Sequence, residues 1–154
     1  MFYFLREDFE GLNAQIDKIC EKIKEIGQEM GRSCKEGAET FHDNFAYENG
    51  ERQQYMWSTR LRELIRIRNN ARVVTPEGRS DKVSIGRTVT IRNETADEVQ
   101  ILKIGSYMVF KERSQNVISY NAPLARLLIG AEVGERREGN IGGKKKIFQI
   151  IKIE

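Results

Sequence analysis

The sequence predicts an α+β protein in which an N-terminal antiparallel coiled-coil helical hairpin precedes a C-terminal β-sheet domain with one short helix. Through the first half of the chain, apolar residues recur in alternating steps of four and three, as in a coiled coil. After residue 82 they alternate with polar residues, as in a half-buried strand. Pro76 lies where the pattern changes and is followed by a polar turn. We therefore predict a hairpin over residues 1–76, a linker over 77–82 and a sheet domain over 83–154.

The first helix is predicted over residues 5–34. It contains no proline, its intervening positions are mostly Glu, Lys, Asp and Gln, and its apolar seam stops before Gly31, Arg32 and Ser33. The seam positions are Leu5, Phe9, Leu12, Ile16, Ile19, Ile23, Ile26 and Met30. An apolar stripe of this kind is best explained as packing against a partner helix.

A second and weaker seam predicts a helix that ends near residues 73–75, because Pro76 disfavours helix at the residue before it. Its positions are Tyr47, Gln54, Trp57, Leu61, Leu64, Arg68 and Ala71. Two helices of about 27 residues each would form a rod about 40 Å long. The second helix also carries an arginine stripe, which is either a solvated face or a surface that meets an anion. The stripe consists of Arg60, Arg62, Arg66, Arg68 and Arg72.

Residues 37–51 are predicted to form the tip of the hairpin, and they are acidic. No Lys or Arg lies between Lys35 and Arg52, whereas Glu36, Glu39, Asp43, Glu48 and Glu51 fall in that interval. Carboxylates grouped around a turn repel one another unless a cation arrives, although acids on a turn also serve solubility. The aromatic residues Phe41 and Phe45 are costly on an exposed tip unless they pack into the turn or against a partner. The single histidine, His42, has no Cys or Ser partner nearby, so we assign it no catalytic role.

In the second half, alternation predicts strands over residues 83–91, 97–104, 116–119 and 146–153, with a hairpin turn at 139–143 before the last. Residues 122–130 read as a short helix, because Pro123 lies in the first turn and Gly130 lies just past the end. A small sheet covered by one helix is expected.

Composition excludes several classes of protein. The net charge of +3 is too small for a dedicated nucleic-acid binder, so DNA binding should be weak at most. Cys20 and Cys34 lack metal-ligand spacing, which favours two reduced thiols in a cytoplasmic protein. The apolar start of the chain is interrupted at once by Arg6, Glu7 and Asp8, so we expect neither a signal peptide nor a membrane span. The sequence contains no Walker loop, GxGxxG motif or zinc-ligand cluster.

Residues 121–135, with Pro123, Leu124, Arg126 and Gly130, closely resemble the C-terminal signature of the GreA/GreB transcription factors. Residues 83–89, 148–153 and 69–74 resemble the first strand, the last strand and the end of the coiled coil of that family, so the resemblance covers nearly the whole chain. It implies a coiled-coil finger that enters the secondary channel of bacterial RNA polymerase. It also implies an FKBP-like C-terminal domain that docks at the rim of the channel.

The resemblance assigns roles to the tip. Aligning Asn44 and Tyr47 with the family's Asn and Tyr places Asp43 on its glutamate and Phe41 on its leucine, whereas the family's first tip acid falls on Thr40, one residue after Glu39. Asp43 is then the carboxylate that would complete a Mg²⁺ site shared with the polymerase, with Glu39 as a helper. The chain would have no cofactor of its own and would contact the RNA 3′ end only indirectly. Polymerase contacts are implied for Phe41, Asn44, Phe45, Tyr47, Pro123, Leu124, Arg126 and Gly130.

Three hypotheses about function stay open on the sequence alone. The protein is a factor that stimulates cleavage of backtracked RNA without being an enzyme itself, or a regulator that occupies the channel without promoting cleavage. The third hypothesis is an unrelated function, either a self-associating coiled coil or an FKBP-like isomerase. The isomerase is the least favoured, because the family shares the FKBP-like fold without its activity.

Overall fold

The computed structural model describes residues 1–36, 45–110 and 116–154. It divides into two compact units. One is helical and comprises Leu12–Asn70, and the other comprises Met1–Gly11 together with Ala71–Glu154. The sequence of each unit has a different periodicity.

The helical unit is a hairpin of two long helices, α1 (Arg6–Glu36) and α2 (Phe45–Asn69). Met30 lies against Gly50 and Gly27 lies beside Gln54, so residue numbers rise along one helix as they fall along the other. The helices are therefore antiparallel, as predicted. Among the described residues of this unit, the predicted seams supply the buried apolar side chains Leu12, Ile16, Ile19, Ile26 and Leu64, and Ile67 is buried beside them in the sequence. Within the described ranges, no helix combines the length and the apolar character needed to cross a membrane.

Helix α2 ends at Asn69, several residues before the predicted end at 73–75. The amide side chain of Asn70 donates a hydrogen bond of 2.8 Å to the carbonyl of Arg66, and its backbone N–H also bonds the last turn. Asparagine is well suited to this terminal position because its side chain satisfies carbonyls that the helix leaves open. The chain then becomes extended, so the helical prediction for residues 70–75 was wrong.

The N-terminus was also predicted as part of the hairpin, but residues Phe2–Phe4 form a strand, β1, which pairs in parallel with β2 (Ala71–Val73). The backbone N–H of Val74 extends this pairing with a 2.8 Å bond to the carbonyl of Phe4. Phe4 is fully buried and packs edge-on against the rings of Phe9 and Tyr107. Strands of three residues are too short to show a period, which is why the sequence did not reveal them.

The C-terminal sheet has five strands in the order β5-β4-β3-β7-β6. Their bounds are β3 (Thr88–Asn93), β4 (Glu98–Gly105), β5 (Val117–Ser119), β6 (Arg136–Ile141) and β7 (Lys144–Ile153). All pairs are antiparallel except β4 with β5, which is parallel. The buried side chains of β3, β4 and β7 form the core together with those of the short helix α3 (Pro123–Leu128).

The first strand of this sheet begins at Thr88 rather than at the predicted residue 83, because the chain turns at Gly86. Gly86 has φ of +90° and donates its N–H to the carbonyl of Ile104, while the N–H of Ile104 bonds the carbonyl of Arg87. This is the geometry of a bulge that requires a left-handed residue in its first position. A Cβ at Gly86 would also lie only 2.3 Å from Cγ of Pro76.

A buried polar cluster joins the start of α1 to the loop after β4. The hydroxyl of Ser106 donates a hydrogen bond to a carboxylate oxygen of Asp8 and accepts one of 2.8 Å from the N–H of Leu5. The other oxygen of Asp8 accepts a 3.3 Å bond from the N–H of Phe110. The side chains of Asp8 and Ser106 are both buried. Buried polar groups need hydrogen-bond partners, and these two side chains provide one for each other.

Candidate functional site

The end of the hairpin is the first of two surfaces that the sequence singles out. Helix α1 ends at Glu36 and α2 begins at Phe45. The predicted site residues Glu39, Phe41, Asp43 and Asn44 belong to the segment 37–44 between them, and they lie outside the described residues, as does His42. Phe45, Tyr47 and the acids that follow them are described.

Among the described residues at this end of the hairpin, Phe45 is the most exposed large apolar side chain, with 78% of its surface accessible. It occupies the first position of α2, where it contributes little to packing between the helices. Tyr47 is half-buried and interacts with another residue through a polar contact or a ring contact. An exposed aromatic side chain is a typical anchor in protein interfaces, and the contact role of Phe45 stays a prediction.

The first turns of α2 also carry two described tip acids, Glu48 and Glu51, both exposed. A carboxylate oxygen of Glu48 lies 4.0 Å from the guanidinium of Arg52, one turn further along the helix. An exposed pair at that distance gains little energy and is screened by salt. The pair still compensates part of the charge of Glu48, whereas no Lys or Arg lies within three residues of Asp43 or Glu39 in the sequence.

Gly50 lies close to α1 near the tip. It is buried, and a Cβ at this position would lie 2.4 Å from Cγ and 2.9 Å from Sδ of Met30. Only glycine allows the backbone of α2 to approach Met30 this closely without displacing it. The contact fixes α2 against α1 within two turns of residue 45, so the connecting segment starts and ends on a packed pair of helices.

The second surface surrounds α3. Pro123 stands at the first position of this helix, and Ala125 and Leu128 are buried in the core of the sheet. Leu124 is half-buried and packs against the same core, while the side chain of Arg126 is exposed. Buried and exposed positions thus alternate along this short helix, and Pro123 and Arg126 face solvent.

The chain after α3 is held by the start of the sheet domain. Gly130 has φ of +83° and donates its N–H to the carbonyl of Val83 at 2.8 Å, while Val83 donates to the carbonyl of Ala131 at 2.9 Å. Gly130 therefore serves as the turn residue that ends the helix, as the sequence predicted. Beyond it, Val133 is 58% exposed, an apolar surface residue that the resemblance did not single out.

Sequence reasoning missed a groove of about 480 Å³ next to α3. It is lined by Leu124, which was predicted to contact a partner, and by residues of β4 and β5 that were not. The other lining residues are Val99, Gln100, Ile101, Leu102, Asn116 and Ile118. The exposed apolar residues of β4 looked in the sequence like ordinary members of a strand, so no local signal marked them.

The arginine stripe is partly compensated by its own helix. Arg60 pairs with Glu63 at 2.7 Å, and Arg62 donates to the hydroxyl of Thr59 at 3.4 Å. Arg72 lies on β2 rather than on α2. The stripe is therefore a mostly solvated face with local partners, which agrees with the simpler of its two interpretations.

No described residues form a group of three or more His, Cys, Asp or Glu side chains suited to a metal ion. Two exposed arginines outside these surfaces have a raised pKa. Hydrogen bonds raise the pKa of Arg92, through Asp97, and of Arg136, through Glu94, so both remain cationic.

Comparison with known proteins adds an independent finding. Residues 78–154 match the family model described as transcription elongation factor, GreA/GreB, C-terminal. The chain is 34% identical over 151 residues to transcription elongation factor GreA of Nautilia profundicola, which covers 94% of this chain and 89% of that protein. It is 31% identical over 138 residues to the GreA of Thermosipho africanus, covering 86% and 83%. Among solved structures, GreA factor homolog 1 of Thermus thermophilus is similar over 99% of this chain and 97% of that chain, with 18% identity and a TM-score of 0.43.

Proposed function

The chain belongs to the GreA/GreB family of transcription elongation factors, and on that premise we propose that it binds bacterial RNA polymerase and stimulates cleavage of backtracked RNA. The family prediction made from the sequence is thereby confirmed. The observation that carries the finer proposal is the construction of the hairpin end. Two long helices, packed through Met30 and Gly50, are joined by a segment that contains Asp43 and neither Lys nor Arg.

In the proposed complex the helical hairpin enters the secondary channel of the polymerase, which leads to the active site. The slender form of two packed helices suits a narrow channel, and the exposed Phe45 offers an apolar contact near the tip. Asn44 and Tyr47 would support the conformation of the tip or contact the channel wall. The nascent RNA 3′ end is then reached only within the polymerase.

The surface around α3 supplies docking affinity at the rim of the channel. Pro123 and Arg126 are exposed, and Leu124 is accessible at the edge of the core. Gly130 shapes the chain that follows, because its left-handed conformation ends the helix. This surface combines apolar and cationic groups, which suits a protein partner with an acidic rim around an apolar contact.

The chemistry would be that of the polymerase, and this chain would add one carboxylate to it. A two-metal site generates hydroxide from water and stabilises the departing oxygen of the phosphodiester. Mg²⁺ prefers hard oxygen ligands, so a carboxylate from Asp43 would strengthen a site that lacks one ligand. Glu39 would orient water or support the charge. The isolated factor would therefore hydrolyse nothing.

A second candidate function is a binding-only regulator that occupies the channel without promoting cleavage. The observation that favours it is Thr40, which stands where the family carries its first tip acid. With one acid displaced to Glu39, the tip would still fill the channel and repel other anions, but it would complete the Mg²⁺ site less well.

Transcript cleavage on stalled, backtracked elongation complexes tests the proposal. The wild-type protein should accelerate cleavage, and Asp43→Asn, which removes the negative charge from this ligand, should lower the rate at least about tenfold, or about 1.4 kcal/mol in the barrier. Affinity for the polymerase should change by less than that, because a ligand to a weakly held ion acts mainly on the chemical step.

Glu48→Gln is the matched control, because it removes a described tip acid that pairs with Arg52, and it should leave cleavage nearly unchanged. Cleavage lost in Glu39→Gln but kept in Asp43→Asn would move the ligand to the earlier acid. A wild-type protein that binds the polymerase but cleaves at no Mg²⁺ concentration would establish the binding-only function.

A further inference from the structure

The side chain of Met30, the last residue of the seam on α1, lies directly on the backbone of α2. A Cβ at Gly50 would lie 2.4 Å from Cγ and 2.9 Å from Sδ of Met30, so the thioether itself forms this contact. Gly50 is buried, whereas Met30 is half-buried. The Met30 side chain therefore packs between the helices and keeps part of its surface accessible to solvent.

A thioether in this position can be oxidised by a peroxide. A lone pair of the sulfur attacks one peroxide oxygen, so that an S–O bond forms while the O–O bond breaks. The proton of the transferred oxygen passes to the departing hydroxide, which leaves as water. The sulfur is thereby oxidised, the peroxide is reduced, and methionine becomes methionine sulfoxide. The product is polar and chiral, and it carries one additional atom at the sulfur.

The contact between Met30 and Gly50 does not accommodate a sulfoxide. The sulfur is too close to α2 for an added atom on that side, since even a Cβ at Gly50 would overlap the thioether. Gly50 lies more than one turn inside α2 (Phe45–Asn69), so its N–H is used by the helix and is not free to bond the new oxygen. A polar group without a hydrogen-bond partner is costly in a packed contact. The oxidised side chain must therefore move away from α2.

We propose that Met30 is a modification site, at which oxidation by a peroxide to methionine sulfoxide loosens the helical hairpin. The modification is reversible in kind, because methionine sulfoxide reductases restore the thioether. A consequence for activity rests on the proposed function: a loosened hairpin would hold Asp43 less precisely, and stimulation of transcript cleavage would fall. Loosening itself is measured on the free protein, so it is tested separately from the proposed function.

The other methionines provide internal controls. The sequence contains four, and Met1 and Met56 are 75% and 55% exposed. Both should be oxidised at least as fast as Met30, but their sulfoxides would face water and leave the packing unchanged. Met108 belongs to the other compact unit. Met56 is the matched control, because it lies on α2 of the same hairpin.

Thermal unfolding before and after hydrogen peroxide treatment tests the proposal, in a full-length Cys20→Ser, Cys34→Ser background that confines the reaction to methionine. Mass spectrometry of peptides measures the oxidised fraction at each methionine, and circular dichroism follows the helices. Oxidation of Met30 should lower the melting temperature by at least about 4 °C, and treatment with the reductases should restore it. Met30→Leu keeps an apolar side chain of similar volume and should show no fall, whereas Met56→Leu should fall like the parent.

Three results would overturn the proposal: an unchanged melting temperature when Met30 is oxidised, an equal fall in Met30→Leu, or a Met30 that stays reduced while Met56 is fully oxidised. The consequence for activity is measured by transcript cleavage, which should fall about tenfold on oxidation of the parent and stay constant for Met30→Leu. Equal cleavage before and after oxidation of Met30 would overturn that consequence. A reduced protein that never stimulates cleavage would contradict the proposed function alone, because the melting temperature is measured without the polymerase.

Discussion

Ser106 shows how one buried hydroxyl can hold two distant parts of the sequence together. It donates to Asp8 and accepts from the N–H of Leu5, and it is completely buried. A carboxylate without its hydrogen-bond donor is costly in such a site, because burial removes the water that would replace the donor. The energy of the cluster therefore depends on all its members at once.

We expect Ser106→Ala to lower the free energy of unfolding by about 2 kcal/mol, since it leaves Asp8 and the N–H of Leu5 with fewer partners. Ser80→Ala is the control, because within the described ranges the Ser80 hydroxyl bonds only the nearby backbone of Lys82. This substitution should cost less than about 0.5 kcal/mol. Urea denaturation measures both. Equal losses would show that the buried cluster contributes no more than an ordinary turn.

At the scale of single residues, the sequence predicted local backbone roles better than it predicted contacts between side chains. Pro123 and Gly130 were placed correctly because their backbone restrictions are local properties. The contact between Asp8 and Ser106 spans 98 residues, and neither residue carries a local signal of it. The specific roles of Asp43, Glu39, Phe41 and Asn44 came mainly from the resemblance and stay predictions.

At the scale of elements, the long helices and the inner strands could be predicted because each repeats its pattern several times. Strand β6 was missed, since residues 136–141 include two arginines, a glutamate and a glycine and lack apolar alternation. Its place in the sheet comes from pairing with β7, a tertiary effect. The strands β1 and β2 were missed for a related reason, because each is stabilised by the other rather than by its own sequence.

Two glycines in the long helices have different surroundings, and this difference gives a testable prediction. A Cβ at Gly31 would contact nothing within 4 Å, so Gly31→Ala should stabilise α1 by about 0.5–1 kcal/mol. At Gly50 the same change meets Met30, and the clash should outweigh the helical gain and cost about 1 kcal/mol net. Thermal unfolding followed by circular dichroism compares the two variants.

The Gly50 clash can be checked by removing its partner. In a Met30→Ala background, Gly50→Ala should become neutral or stabilising, because the side chain that it would displace is gone. Persistence of the loss in that background would mean that the close approach of α2 to α1 at this point is not set by Met30.

At the scale of the whole molecule, the change of period near Pro76 separated the two long helices from the five-stranded sheet, but the strands β1 and β2 lie before it. What composition could not show is that Met1–Gly11 belongs to the same compact unit as Ala71–Glu154. The reason is physical: β1 obtains its hydrogen bonds from β2, and Asp8 obtains its partners from residues 106 and 110. A compact unit assembled from separate stretches of the chain has no continuous sequence pattern from which it could be predicted.

This organisation determines how the two units should be separated experimentally. A variant in which residues 12–70 are replaced by a short Gly-Ser linker keeps β1, β2 and the Asp8 cluster. It should therefore fold, whereas a fragment of residues 78–154 lacks all three and should melt at a lower temperature. The linker variant is accordingly the proper test of what the hairpin contributes to polymerase binding.

If both units engage the polymerase, the linker variant should bind it more weakly than the full chain by a factor of about 10², because the benefit of linking two contacts is lost. Competition binding against a labelled full-length protein measures the ratio, and the melting curve of the variant controls for folding. Pro123→Ala with Leu124→Ala in the full chain should weaken binding as well, since the hairpin would then hold the complex alone. Equal affinity of the linker variant and the full chain would mean that the hairpin does not enter the channel, and the acidic tip would then need a different partner.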